Sequence, residues 1–411
     1  MSILKNYPNP EELISWFEGL KKNTIYEVNG HVHTPFSFSS FSDIESIFAL
    51  AKKENIKVLG INDFFVADGY PSFYEQSIKN DVFALFNIEF IGLLKEEQTK
   101  GIRINDPNNP GRCYFSGKGL TFPFDLPADL DAKLQSVIKE SQVQVKAMVD
   151  KANTWFKEIN AGIELDFTHL KKKFAKELVR ERHIAKAIRV AVYEKAADEA
   201  GRKDLFKLIY GGKDSKVSMD DIPGLENEIR SNLLKSGGKA FVEEDDKAFM
   251  SIDEVIKIIL GAGGIPCYPV LLDDKNGVYT EYEGDKEKLY TELTKRKIAC
   301  IELIPGRNGA SHLEEFVKFF DSKGIVVNFG TEHNAPDMIP LTCDTRGKIA
   351  LSEDMRRISF EGACVIAAHQ YLRAKGLPAF VDATTGKADV SKKAYFVKLG
   401  KAVIEKFTNN N

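Results

Sequence analysis

Short apolar segments alternate with helical ones along this chain, on either side of one long charged helical stretch, and that alternation restricts the fold more than any other feature. Strand patterns at residues 26–34, 57–63, 82–90 and 112–116 come first, with a helix over 43–53. After the interruption, strands at 265–269, 298–304 and 325–329 alternate with helices over 251–260, 286–296 and 312–323. Strand, helix and strand joined by short connections predict a parallel sheet closed, or nearly closed, by crossover helices. From about Ala128 to Lys235 the pattern is helical and charged, with turn signals at Gly211-Gly212 and Pro223-Gly224. This stretch reads as an insertion packed over the barrel mouth. The remainder, from Asp354 onward, reads as helices on the barrel exterior. The division expected is therefore 1–120 (an opening helix and the first half of the barrel), 121–250 (helical insertion), 251–344 (second half) and 345–411 (helical extension).

Composition removes several function classes. The chain has 411 residues, 43% hydrophobic and 28% charged, enough to bury one large core. Its net charge of -3 gives no general attraction to nucleic acid or to anionic membranes, so an anionic substrate must be held by locally placed basic residues. Five cysteines (Cys113, Cys267, Cys300, Cys343, Cys364) lie far apart without a C-x-x-C pair and read as reduced thiols of a cytoplasmic protein. The first residues are charged and amphipathic, and no apolar run approaches the length of a membrane span.

The chemistry-bearing stretch is Asn29-Gly30-His31-Val32-His33-Thr34. Side chains alternate along a strand, so His31 and His33 point to one side and Val32 to the other. At the carboxyl end of a barrel strand that side is the usual mouth of an active site. Two imidazoles there suit one metal ion, and equally suit hydrogen bonds to nearby carboxylates.

His31 and His33, I-N-D at 61–63, a lone Glu89, A-G-G-I-P-C-Y-P at 262–269, I-E-L at 301–303 and G-T-E-H-N at 330–334 occur in an order that resembles the PHP (polymerase and histidinol phosphatase) superfamily. The resemblance spans roughly 24–340 apart from the insertion. Within the insertion, R-E-R-H-I-A-K-A-I at 180–188 is similar to a segment of PHP phosphoesterases that carry a helical cap. It implies a distorted (β/α)7 barrel with a helical insertion and a helical C-terminal extension, and a metal-dependent hydrolase acting on phosphoesters. It also implies a ligand set of His31, His33, Glu89 and Glu332. The departures matter as much: Phe64 stands where the family has a ligand histidine, and Tyr268 stands in its A-H-P motif. Tyr114 or a neighbour stands where a further histidine is expected. Because a phenol ionises near pKa ~10, tyrosine replaces imidazole poorly. One divalent ion (Zn, Mn or Fe) is expected in place of three.

Further candidates follow from position. His333, beside Glu332, reads as a proton-transfer group or replacement ligand. Asp63 reads as the acceptor that fixes a ligand histidine's tautomer, and Tyr268 as a group that stabilises a leaving oxygen. Lys118 and Arg307, on loops after strands, and Arg182, His183 and Lys186, on one insertion helix, are candidate contacts for a substrate anion. Three functions stay open: a hydrolase of a small anionic ester, a one-metal isomerase or lyase on a sugar or sugar acid, and a ligand-binding barrel without catalysis.

Overall fold

The computed structural model describes residues 3–22, 24–274 and 277–409. Helix α1 (Pro10–Gly19) opens on the Asn9 side chain, which accepts from the Glu12 amide. Then follow β1 (Glu27–Val32), α2 (Ile44–Lys53), β2 (Ile56–Phe64), α3 (Tyr70–Asn80), β3 (Phe83–Leu93), the short α4 (Lys95–Thr99) and β4 (Arg112–Lys118). Five helices come next: α5 (Ala128–Glu158), α6 (Phe167–Phe174), α7 (Glu181–Lys195), α8 (Glu199–Ile209) and α9 (Ile222–Ile229). The alternation resumes with β5 (Met250–Ser251), α10 (Ile252–Gly261), β6 (Ile265–Val270), α11 (Lys286–Lys295), β7 (Cys300–Leu303), α12 (Ala310–Ser322) and β8 (Val326–Phe329). Helices α13 (Glu353–Ala374) and α14 (Lys393–Thr408) complete the chain.

Seven strands form a nearly closed barrel in the order β1-β2-β3-β4-β6-β7-β8. All eleven residues of β3 are buried, as expected of a strand covered by side chains inside the barrel and by helices outside. The ring closes where β1 meets the turn after β8: Glu332 donates its amide to the His31 carbonyl (2.9 Å) and accepts from the His33 amide (2.7 Å). Glycine is required at this seam, since a Cβ on Gly330 would lie 2.8 Å from the His31 nitrogen and one on Gly30 2.2 Å from the Asn328 amide. One expectation is corrected: β4 runs antiparallel to both β3 and β6. The short α4 and the loop after it, up to Gly111, lead into β4 in place of the long crossover that parallel pairing would need. The two-residue β5 pairs with β3 at the edge of the insertion.

Helices α5 to α9 surround a second apolar core, including Phe156, Ile184, Ile188, Phe206 and Leu225. They meet the barrel at the loop after β1, where the Leu178 amide donates to Phe36 and His183 packs edge-on against Phe38. Helix α13 is buried on nearly every side. Gly362 lets it rest on the backbone of Val327, while Gln370 bonds Ala84 and Phe86 at the start of β3. His369 bonds the Gly263 carbonyl just before β6. A helix so placed covers the start of β3, which lies before the Ile88–Leu93 stretch that pairs with β4.

Candidate metal centre

The first two ligand candidates leave the carboxyl end of β1 on one side of the chain, as strand alternation requires. Both rings are buried, and their Nε2 atoms lie 3.2 Å apart. Glu89, on β3, brings Oε2 to 3.2 Å from His33 Nε2 and 3.9 Å from His31 Nε2. Among the described residues these three form a group whose ligand atoms lie close enough together, all within 4.8 Å of one another, to hold a metal ion.

The His33 ring is oriented by the residues around it. Asp63 accepts from the Thr34 amide (2.7 Å), the Thr34 hydroxyl (2.5 Å) and the Ser37 hydroxyl (2.6 Å). Because the Ser37 hydroxyl hydrogen is directed at Asp63, its oxygen accepts from His33 Nδ1 at 3.2 Å. That leaves the Nε2 lone pair of His33 facing Glu89. Asp63 thus reaches the imidazole through Ser37, its own oxygen lying 4.0 Å from Nδ1. Phe64 stacks on His33, with the ring centres 4.8 Å apart.

Electrostatics and hydrogen bonding bear on whether a cation fits. Burial raises the Glu89 carboxyl to about 8, against the pull of His31, and lowers His33 to about 4. Glu89 Oε2 is buried without a hydrogen-bond donor, an arrangement proteins seldom tolerate without a ligand or water. A carboxylate oxygen and an imidazole lone pair directed at one point fit a divalent cation by donor type and by spacing.

Glu332 lies near this group but outside it. Its carboxylate pairs with Arg307, and although burial opposes ionisation, Arg307 and the two histidines keep its carboxyl below the usual range. Glu332 and His333 both have positive φ, +64° and +56°. Non-glycine residues hold that conformation only where surrounding contacts impose it. Here the seam to β1 imposes it on Glu332, and the ring contacts impose it on His333. His333 Nδ1 bonds the Thr331 hydroxyl (2.8 Å), Nε2 bonds the Ile339 carbonyl (2.9 Å), and the ring stacks on Phe41. Both nitrogens are occupied within the rim loop.

The remaining candidates divide between the site and the scaffold. Tyr268 points away from the histidines: its neighbour Cys267 faces the barrel interior, so alternation turns the phenol outward, where it donates to Glu283 at 2.8 Å. Lys118, expected on a loop, is the last residue of β4 and fully buried; its ammonium is taken up inside the barrel by Glu302 (2.5 Å) and Asn62 (3.2 Å). His183 is buried, pushed down to about 3 by burial, and accepts from the Arg180 amide at 2.9 Å, so it shapes the start of α7. Lys186 lies over Phe174 within the insertion. Arg182 lies over Phe38 at the junction of insertion and barrel and donates to Asn227.

Arg180 was not singled out by sequence reasoning. Its guanidinium lies 4.2 Å from the centre of the Phe64 ring, one aromatic layer from His33. Among the described residues it has no ion-pair partner. The signal was available, because Arg180 opens the same R-E-R-H segment as Arg182.

The solved structure of a "putative metal-dependent phosphoesterase" from Bifidobacterium adolescentis matches this chain with a TM-score of 0.51 at 14% identity, covering 82% of this chain and 96% of that one. The likeness is one of fold. An amidohydrolase from Chromobacterium violaceum gives a TM-score of 0.49 at 14% identity, covering 81% and 96%. No family model matches the sequence, and no curated protein does. The α/β barrel fold is thus shared with the first of these structures.

Proposed function

We infer that this chain is a metal-dependent hydrolase of a small anionic ester, using one divalent ion held by His31, His33 and Glu89. The observation that carries this reading is a juxtaposition: a buried Glu89 oxygen that has no donor among the described residues lies among imidazole nitrogens, one ring away from an arginine that has no acid partner among them. A divalent ion bound there would act as a Lewis acid and lower the pKa of a bound water.

The chain's own residues supply the rest. Arg180 and Arg182 reach the mouth from the insertion, and Arg307 reaches it from the loop after β7. Guanidinium groups suit phosphate and carboxylate by geometry as well as by charge. Phe38 and Phe64 beside them lower the local polarity, which strengthens any ion pair formed there. Asp63 and Ser37 hold His33 in place. With Phe64 stacked on His33 and Tyr268 turned away from the histidines, neither offers a ligand for a second or third ion, and the site suits activated esters and lactones better than unactivated phosphomonoesters, whose uncatalysed hydrolysis is among the slowest known.

The test is elemental analysis of purified protein, followed by a panel of phosphorylated and unphosphorylated sugars, esters and lactones with the metal it carries. About one ion per chain and ester turnover absent from His31→Ala are expected. Turnover of a broad phosphomonoester panel at on the order of 1 to 10³ per second would restore the plain phosphatase reading. Protein that takes up no divalent ion would remove the metal reading altogether.

A further inference from the structure

Below the metal-ligating group the barrel interior holds a second charged layer. Lys118 and Glu302 are fully or almost fully buried, from β4 and β7 respectively, and their charged atoms lie 2.5 Å apart. Glu302 accepts from three donors: Lys118 and His31 Nδ1 (3.0 Å) at Oε2, and the Ser116 hydroxyl at Oε1. Lys118 also donates to Asn62 Oδ1, which turns the Asn62 amide nitrogen toward the His31 ring, 3.1 Å from Nδ1 and 3.0 Å from Nε2.

A carboxylate surrounded by an ammonium and a hydroxyl acts only as an acceptor. The imidazole nitrogen facing it must therefore carry the proton. We propose that the Lys118–Glu302 pair is the positioning element of the metal centre: it holds His31 as the Nδ1–H tautomer, so that the Nε2 lone pair is directed at Glu89 and His33. Neither residue touches the ion or the substrate. Glu302 acts through His31, and Lys118 acts through Glu302 by keeping that carboxylate an acceptor and fixing the oxygen that faces the ring. The pair also explains how β4 can bring a lysine into a barrel, because the charge is neutralised by a partner on β7, one strand removed in the sheet, and never meets solvent.

This inference rests on the metal reading for its functional meaning, yet its structural content is tested without metal. Protein labelled with 15N at histidine and stripped of metal would be examined by long-range 1H–15N correlation, with His31 assigned through His31→Gln. The expected signature is a protonated Nδ1 and an unprotonated Nε2; a proton on Nε2 in the wild type would overturn the proposal. In Glu302→Gln, both Lys118 and the new amide offer donors to Nδ1, so the proton should move to Nε2 and Zn2+ binding by calorimetry should weaken ~10- to 100-fold. The double variant Lys118→Met/Glu302→Gln removes the charge left unpaired and should show the same weakening with wild-type circular dichroism. An unchanged tautomer with unchanged Zn2+ affinity in the variants would refute the positioning role. Failure of wild-type protein to bind Zn2+ would instead count against the metal reading, while the tautomer measurement would still decide this one.

Discussion

The two sides of the barrel mouth treat their polar groups differently. On the β1–β3 side, His33 directs a lone pair at Glu89, whose Oε2 has no donor. On the β4–β7 side, the candidates Tyr268 and Lys118 are already satisfied within the chain, Tyr268 by Glu283 and Lys118 by Glu302 and Asn62. Both sides are buried and both carry acids. A binding site is marked less by which residues are present than by which are left without a partner, since an unsatisfied buried acceptor costs stability until a ligand completes it.

The largest expected effect is on the open side. His31→Ala should reduce bound metal from about one ion per chain to none measurable, and should abolish turnover, by elemental analysis and assay of the same preparation; metal retained in full would place the ion elsewhere. Next is the approach to that side. Arg180→Ala should raise KM for an anionic substrate ~10- to 100-fold, the weight of about 1.5 to 3 kcal/mol for a hydrogen bond to a charged group, while leaving metal content unchanged. An equal loss on a neutral ester would show that Arg180 acts by packing on Phe64 instead.

A third test uses proton linkage. Burial raises the folded-state Glu89 carboxyl to about 8 from an ordinary 4.5, so between those values the folded protein binds more protons than the unfolded one. Stability of metal-free protein should then fall as pH rises from 7.5 to 8.5, a full unit above the ordinary histidine value, where the lowered His33, His183, His333 and His369 make little opposing change. The slope from Glu89 is at most about 1.4 kcal/mol per pH unit. Denaturant titrations should show this slope reduced by added metal and in Glu89→Gln; Glu283, raised to about 7 by burial, contributes a slope of the same sign that metal leaves in place. The smallest effect belongs to the closed side. Tyr268→Phe should cost about 1 kcal/mol for one lost hydrogen bond, read from the thermal midpoint, with turnover unchanged; a large loss of turnover would return the phenol to the chemistry.

The strand and helix succession was legible because each segment carries its own periodicity, and His31 and His33 were legible because alternation on one strand is local. What escaped depends on pairing across the barrel. The antiparallel sense of β4 is written in no single segment, and with the strand pattern ending at residue 116 Lys118 reads as a loop residue facing a substrate anion, whereas it is a buried strand residue. Glu302 belongs to a noted motif, yet its partners come from β1 and β4, far away in sequence. Tyr268 and Cys267 exchange faces with a one-residue shift of register, which an apolar run does not specify. His333 lies beside Glu332, but two consecutive left-handed residues turn its ring into the rim.

The burial of α13 also sets an order of events during synthesis. The insertion draws its apolar core from residues between 145 and 240, so it has everything it needs well before the chain is finished. The barrel has no such independence. Its seam joins His31 to Glu332, and the exposed edge of β3 is covered by Gln370. Until residues near 370 have left the ribosome, the first strands carry open backbone edges of the kind that recruit other chains. Truncation before α13 should therefore yield aggregated protein and not a smaller enzyme, and the ribosome-bound nascent chain is where a chaperone has most to protect.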